Sequence, residues 1–363
     1  MPSYNGIPLS AEEVEALEEL EQVLGVTLQV YNEHPYWRER AQGSRSRISA
    51  LPESMIMGNF AVENQQVVSL RLGPNHPRNR LNTLPHAIER FQHLKRLSVE
   101  YNHISQLSES IGALRELQML NLEGNQLQTL PESIGQLHNL LILKVARNQL
   151  QTLPESVGGL TRLRFLDLGS NHLKEFPDSF AALQSLKVLK LRDNQLERLP
   201  DRVGELSRLK ELDLSQNQLA SLPSSIGQLS NLVELNLGKN SLTALPETFS
   251  DLVNLEQLNL IANQIQNLPR DYDKLIKLRK AYTVGNDLGV VLGLFTVEKR
   301  NNTRLRKIPS ILNEHPLLSR LNWKTIKVIK SNCPFCGQME VFEAQEKKKK
   351  ALNRFCVRCQ MFF

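Results

Sequence analysis

Apolar residues in this chain recur on a 23-residue cycle, and each cycle shows two kinds of periodicity. From Leu117 to Lys277, seven consecutive stretches superpose without gaps, beginning with LQMLNLEGNQLQTLPESIGQLHN and ending with LEQLNLIANQIQNLPRDYDKLIK. Within a stretch, Leu120 and Leu122 flank a polar residue, the alternation of a short strand with one buried face. Leu127, Leu130, Ile134 and Leu137 then line an opposite wall, with Pro131 fixing a turn and Gly135 permitting a tight one. Asn125 stands where the chain leaves the strand, and its amide is placed to pair backbone groups that the turn would otherwise bury unsatisfied. The same asparagine returns at Asn148, Asn171, Asn194, Asn217, Asn240 and Asn263, with Asn102 and Asn286 extending the ladder at either end. One such coil cannot bury its own apolar residues, so coils must stack.

This pattern, LxxLxLxxNxLxxLPxxIGxLxx, resembles the short cytoplasmic form of the leucine-rich repeat family, found in Ras-pathway scaffolds and in plant intracellular Ras-group repeat proteins. The resemblance covers about residues 67–288. It implies an α/β solenoid, a horseshoe of about ten coils with a parallel sheet on its concave face. It also implies a cytoplasmic, non-enzymatic scaffold in signalling, whose partners are proteins such as small GTPases or their regulators. The chain is expected to act as a monomer.

The flanks depart from the cycle. Residues 1–30 contain SAEEVEALEELEQVL, which opens on Ser10 with Glu13 three positions on, the signature of a capping box. Val14, Leu17, Leu20 and Leu24 share one face of this helix, with acids opposite, and the expected role is to cap the solenoid core. A docking helix for a partner is the alternative. Residues 31–66 read as a linker. Residues 289–322 combine an insertion with a degenerate last repeat around Leu305, Ile308 and Leu312.

All four cysteines fall in residues 323–363, as Cys333-Pro-Phe-Cys336 and Cys356-Val-Arg-Cys359. That spacing is a zinc pattern. Four thiolates at ~2.3 Å would hold Zn(II) in a closed tetrahedral site, which is structural rather than catalytic. Such a zinc ribbon, too short to build a core of its own, would fold on its metal. It would serve as a C-terminal cap, with Trp323 and Thr325–Ile329 pairing onto the last coil, or as a separate contact module. Lys347 to Lys350 with nearby phenylalanines suggest the alternative of nucleic-acid binding through this end.

Composition adds two points. Leucine accounts for 64 of the 363 residues, roughly double a globular share, and the coil core explains it. The net charge of +6 is unevenly placed: residues 271–363 carry +11 and residues 1–270 carry −5. No run approaches the ~18 apolar residues of a membrane span, and the N-terminus lacks a signal-peptide layout. Nucleotide, metalloprotease and hydrolase motifs are missing. A ubiquitin-ligase-like effector is disfavoured, because the ribbon accounts for every cysteine.

The register identifies candidate binding residues, because side chains beside the strand leucines point out of a rigid sheet. Met119, Ile142, Phe165 and Val188 are expected to form an apolar band across four strands. Lys144, Asp167, Lys190 and Arg192 border it. An exposed apolar centre with a charged rim is the anatomy of a protein interface.

Overall fold

The computed structural model describes residues 2–30, 59–73 and 80–286, apart from positions 267, 270 and 284, together with four strands between Lys327 and Phe362. The chain divides into two compact units, Met1–Leu189 and Lys190–Phe363.

The first unit opens with a hairpin, β1 (Ser3–Tyr4) and β2 (Ile7–Pro8). Asn5 and Gly6 turn it with φ of 49° and 81°, the pair of positive φ that a tight hairpin needs. Helix α1 follows over Ala11–Leu24. Its amide at Glu13 donates to Ser10 Oγ at 3.2 Å, and Gly25 closes it in the left-handed conformation with φ 64°. Leu17, Leu20 and Leu24 are buried as the pattern predicts. Glu13 is buried too, at 4% exposure, and its carboxylate accepts the Val67 amide at 2.9 Å. Its other oxygen accepts from the Ser10 hydroxyl at 3.2 Å, so the capping-box residue ties the helix start to the neighbouring strand.

Strand β3 (Phe60–Glu63) pairs antiparallel with β4 (Gln66–Arg71). This strand falls inside the stretch read as linker, and Phe60 is wholly buried. Asn64 and Gln65 turn the hairpin with φ of 50° and 64°, and a glutamine in that conformation gives no sequence signal of a tight turn. From β4 the pairing becomes parallel through β5 (Arg96–Ser98), β6 (Met119–Asn121), β7 (Ile142–Lys144) and β8 (Phe165–Asp167). β9 (Val188–Lys190) spans the boundary of the units. In the second unit β10 (Glu211–Asp213), β11 (Glu234–Asn236), β12 (Gln257–Asn259) and β13 (Lys280–Tyr282) continue the same parallel type. Each unit is thus a solenoid-like stack of three-residue strands. Leu97, Leu120 and Leu143 are fully buried in the first, and Leu212 and Leu235 nearly so in the second.

The wall opposite the strands is made of 3-10 turns such as Glu132–Gln136, entered through Pro85, Pro131 and Pro154 in three of the first four and through Ser108 at Glu109–Ala113. Pro131 has φ −69°, the value its ring imposes, and leads directly into its turn. In the first unit the acids at the start of these turns hold the next coil. Glu109 accepts the Ser133 amide at 2.8 Å, Glu132 that of Ser156 at 3.3 Å, and Glu155 that of Ser179 at 3.4 Å. That amide bond keeps the Glu109 carboxyl below its ordinary range. Gly135 has a different use from the one its sequence suggests. Its φ is not positive; a side chain there would run into the backbone oxygen of Ser156 on the next coil.

Each ladder asparagine is preceded by a residue in the left-handed conformation, from Tyr101 (φ 55°) through Arg147 (57°) and Ser170 (52°) to Ala262 (54°). Glycine occupies that position only at Gly124 and Gly285. The other residues accept a cost of about 1 kcal/mol each because the asparagine that follows is bonded from both sides. Asn148 is typical: Oδ1 accepts the Leu127 amide at 3.0 Å, and Nδ2 donates to the carbonyls of Leu122 and Val145 at 2.9 and 3.1 Å.

The last strands of the second unit, β14 (Lys327–Lys330), β15 (Glu340–Gln345), β16 (Leu352–Cys356) and β17 (Met361–Phe362), form a separate antiparallel sheet in that order. β14 pairs with β15, so residues 327–329 do not pair onto the last coil.

Candidate functional site

In the first unit, register brings Arg96, Met119, Ile142 and Phe165 side by side on β5 to β8. Val188 joins them through its amide bond to the Arg164 carbonyl at 3.0 Å. At the ~4.8 Å strand spacing, the four apolar residues span about 15 Å.

Their exposure differs from the expectation. Phe165 and Val188 are each only 6% exposed, whereas Met119 and Ile142 are half-buried. The band is therefore mostly covered at β8 and β9 and open at β6 and β7. The periodicity places the four on one face, but packing between coils decides how much of each meets water. A charge placed at Phe165 would be forced into apolar surroundings, so Ile142 is the residue through which the band can be probed.

The next column of the face holds Ser98, Asn121, Lys144 and Asp167. Two of these side chains are used by the fold. Asn121 Oδ1 accepts the Glu123 amide at 3.1 Å, and Asp167 Oδ1 accepts that of Gly169 at 3.1 Å. These bonds shape the turn after each strand. The Lys144 side chain, half-buried, has no hydrogen-bond or ion-pair partner among the described residues. Near the start of the sheet, Glu100 is 2% exposed and accepts from Arg71 Nε at 2.9 Å and from the Ser98 hydroxyl. Glu123 accepts from the Tyr101 hydroxyl at 2.9 Å and lies 3.6 Å from Arg147 Nε.

Lys190 and Arg192 belong to the second unit. Arg192 Nε donates to Gln216 Oε1 at 2.6 Å. Glu211 is half-buried, and its carboxyl is pushed up first by burial and then by Glu234, while Lys190 opposes the shift.

The column immediately before the strands was absent from the sequence reading. It holds Lys95, Gln118, Leu141, Arg164 and Lys187 in the first unit, each one residue ahead of its strand, and the cycle of 23 was enough to find it. Lys95 is paired with Glu63 at 2.8 Å.

Cys333, Cys336 and Cys359 lie outside the described residues, as do Lys347 to Lys350. Cys356 ends β16, its backbone opposite Val341 on one side and Met361 on the other. The zinc expectation therefore lies outside the described residues as well. Among the described residues, no group of His, Cys, Asp and Glu is placed to hold a metal ion, and no helix is long and apolar enough to cross a membrane.

No curated protein matches the sequence. Among solved structures, the chain is similar to a leucine-rich repeat protein of Leptospira interrogans, at 28% identity and TM-score 0.48, covering 73% of this chain and 78% of that one. It is also similar to the ectodomain of the Arabidopsis thaliana membrane receptor kinase GASSHO1/SCHENGEN3 in complex with CASPARIAN STRIP INTEGRITY FACTOR 2. There the identity is 26% and the TM-score 0.60, over 75% of this chain and 32% of that one. A third similarity is to the functional domain of InlJ from Listeria monocytogenes, at 21% identity and TM-score 0.50, over 60% and 45% of the two chains. The chain thus spans about a third of the plant ectodomain and under half of the InlJ domain. The family model described as leucine-rich repeat region matches residues 70–161 and 178–287, and that for a single leucine rich repeat matches residues 162–183. With stacked strands, asparagine ladder and family models in agreement, the chain belongs to the leucine-rich repeat family.

Proposed function

We propose that this protein is a non-enzymatic interaction scaffold that takes a protein partner on the strand face of its first unit. The observation that carries this reading is the pairing of Met119 and Ile142, half-buried on adjacent strands, with Lys144 beside them, whose side chain has no partner among the described residues. Apolar surface bordered by charge is what protein interfaces are made of, and the strands beneath it are rigid. The similar plant ectodomain was solved with a bound factor, which supports a ligand-binding role for such stacks. A cytoplasmic signalling role, with small GTPases or their regulators as partners, rests on the form of the repeat. Affinity capture from the cells that make the protein tests the reading, with wild type beside Ile142→Ser. The partner retained by wild type is expected to be lost by the variant while thermal unfolding shifts little. Equal capture by both would remove the strand face as the site.

The N-terminal hairpin and α1 are proposed to seal the first coil. Glu13 reaches into β4, Arg90 of the adjoining turn lies 3.2 Å from Glu19, and Tyr4 hydrogen-bonds Glu21. Burial and the nearby Glu21 carboxylate raise the Tyr4 phenol well above its usual range, so this contact is kept in its neutral form.

The four cysteines are proposed to hold one structural zinc, a reading supported by their C-x2-C pairs. Metal analysis is expected to return one zinc per chain with no titratable thiol; four free thiols in the purified protein would overturn it.

A further inference from the structure

On the strand face of the second unit, two carboxylates stand side by side. β10 opens on Glu211 and β11 on Glu234, and the register sets these two residues directly opposite one another. Neighbouring strands lie ~4.8 Å apart, and like charges paired across them repel. The two side chains are differently placed. Glu234 is exposed, and its Oε1 accepts from the Gln257 amide on β12. Glu211 is half-buried, and its side chain has no hydrogen bond or ion pair among the described residues.

The groups around Glu211 leave its charge poorly compensated. Burial raises its carboxyl most, the Glu234 charge raises it further, and Lys190 on β9 pulls the other way. Arg192, just beyond β9, donates to Gln216 instead. On β10 itself Asp213 is a third acid, but its carboxylate is taken up by the Ser215 amide and hydroxyl at 3.0 and 2.7 Å. Gln257 on β12 brings no charge.

We infer that Glu211 and Glu234 form a carboxyl pair that takes up one proton in mild acid, and that this uptake tightens the second unit at β10 and β11. The proton belongs to the pair rather than to either residue. It relieves the repulsion across the strands and the cost of holding a charge at a half-buried position. A carboxyl that binds its proton more strongly in the folded chain than in the unfolded one favours folding when protonated. The gain is full at acid pH and is lost as pH rises through the folded value. Glu109 of the first unit responds in the opposite sense. Its carboxyl is held below the ordinary range by the Ser133 amide, and that contribution is lost as pH falls. Acidification therefore acts on the two units with opposite signs at these positions.

Hydrogen exchange of the full chain, read by mass spectrometry between about pH 7 and about pH 5 with the intrinsic pH dependence of exchange divided out, tests this. Protection over residues 210–236 is expected to rise by about fivefold at the lower pH, since one full pKa step is worth tenfold. In Glu211→Gln, whose amide imitates the neutral carboxyl, protection at neutral pH should already match the acid value of wild type and should no longer respond to pH. Glu234→Gln should weaken the response, because the repulsion is gone while the burial remains. Wild-type protection that does not change with pH would overturn the inference. A response that survives in Glu211→Gln, or that is undiminished in Glu234→Gln, would overturn it by assigning the proton elsewhere. Weaker protection of Glu211→Gln at neutral pH would overturn it too, by making the ionised carboxylate the stabilising form.

Discussion

Asn148→Ala is expected to lower stability by about 3 kcal/mol, although it removes only a small polar group. Asn148 is 6% exposed. Its oxygen is the acceptor for the Leu127 amide, and its nitrogen serves the carbonyls of Leu122, Val145 and Ala146 at 2.9, 3.1 and 3.2 Å. An alanine leaves these groups buried between two coils with nothing to replace the amide. A buried group without a partner costs about 1–3 kcal/mol, and more than one is orphaned here. The damage should begin locally, because in a stack each coil contacts only its neighbours. Hydrogen exchange at the Leu127 amide should accelerate before the global transition moves. Asn139 provides the comparison. It also donates to a preceding coil, at 2.9 Å to the Arg115 carbonyl, but at an exposed site. Asn139→Ala should cost under about 1 kcal/mol, since water can take the vacated position. Equal costs measured by urea unfolding would show that burial is not what gives the ladder its value.

Gly135→Ala should cost about 2 kcal/mol through crowding alone. The added methyl would run into the backbone oxygen of Ser156, with Ser156 Cβ 2.8 Å away. Gly158 faces Ser179 in the same manner, with a methyl falling 2.7 Å from its oxygen. Backbone cannot step aside as a long side chain can, so the coils must separate locally and the buried leucines lose contact. The second variant, Ser156→Gly in the Gly135→Ala background, decides between the two obstacles. It removes the Ser156 side chain but not the carbonyl, and stability is expected to stay low. Full recovery would assign the clash to the side chain and reduce the glycine's role to accommodating serine.

These two positions show how differently the levels of structure can be read from one chain. The strands, the ladder and the proline turns follow from a cycle of 23, because a coil that repeats in sequence must repeat in space once its apolar residues are buried. Ser10 as the helix cap and Leu17, Leu20 and Leu24 as the buried face were legible for a similar reason, the helical period. Gly135 was legible as a special position, but for the wrong cause, since close approach to a neighbouring coil leaves no local signature. Glu13 was legible as the partner of Ser10, from whose hydroxyl it accepts at 3.2 Å, but its second bond, to the Val67 amide 2.9 Å away, leaves no trace in a helical pattern. β3 was missed because its turn passes through Gln65, a residue with no preference for positive φ.

For the candidate site, periodicity alone determined which side chains share the strand face: Met119, Ile142, Phe165 and Val188 in one column, Lys144 and Asp167 in the next. It could not determine which of them are available. Exposure is set by packing between coils, which leaves Met119 and Ile142 half-buried while Phe165 and Val188 are covered. Charge depends on pairing across coils. Arg71 is occupied by Glu100, Asp167 is drawn into the turn at Gly169, and the Lys144 side chain has no partner among the described residues. The sequence by itself therefore determined the coil and its columns, because both follow from a local repeat. Only the tertiary structure decided which residues of a column remain for a partner, because burial and ion pairing are set between coils, where the sequence separation is a whole repeat.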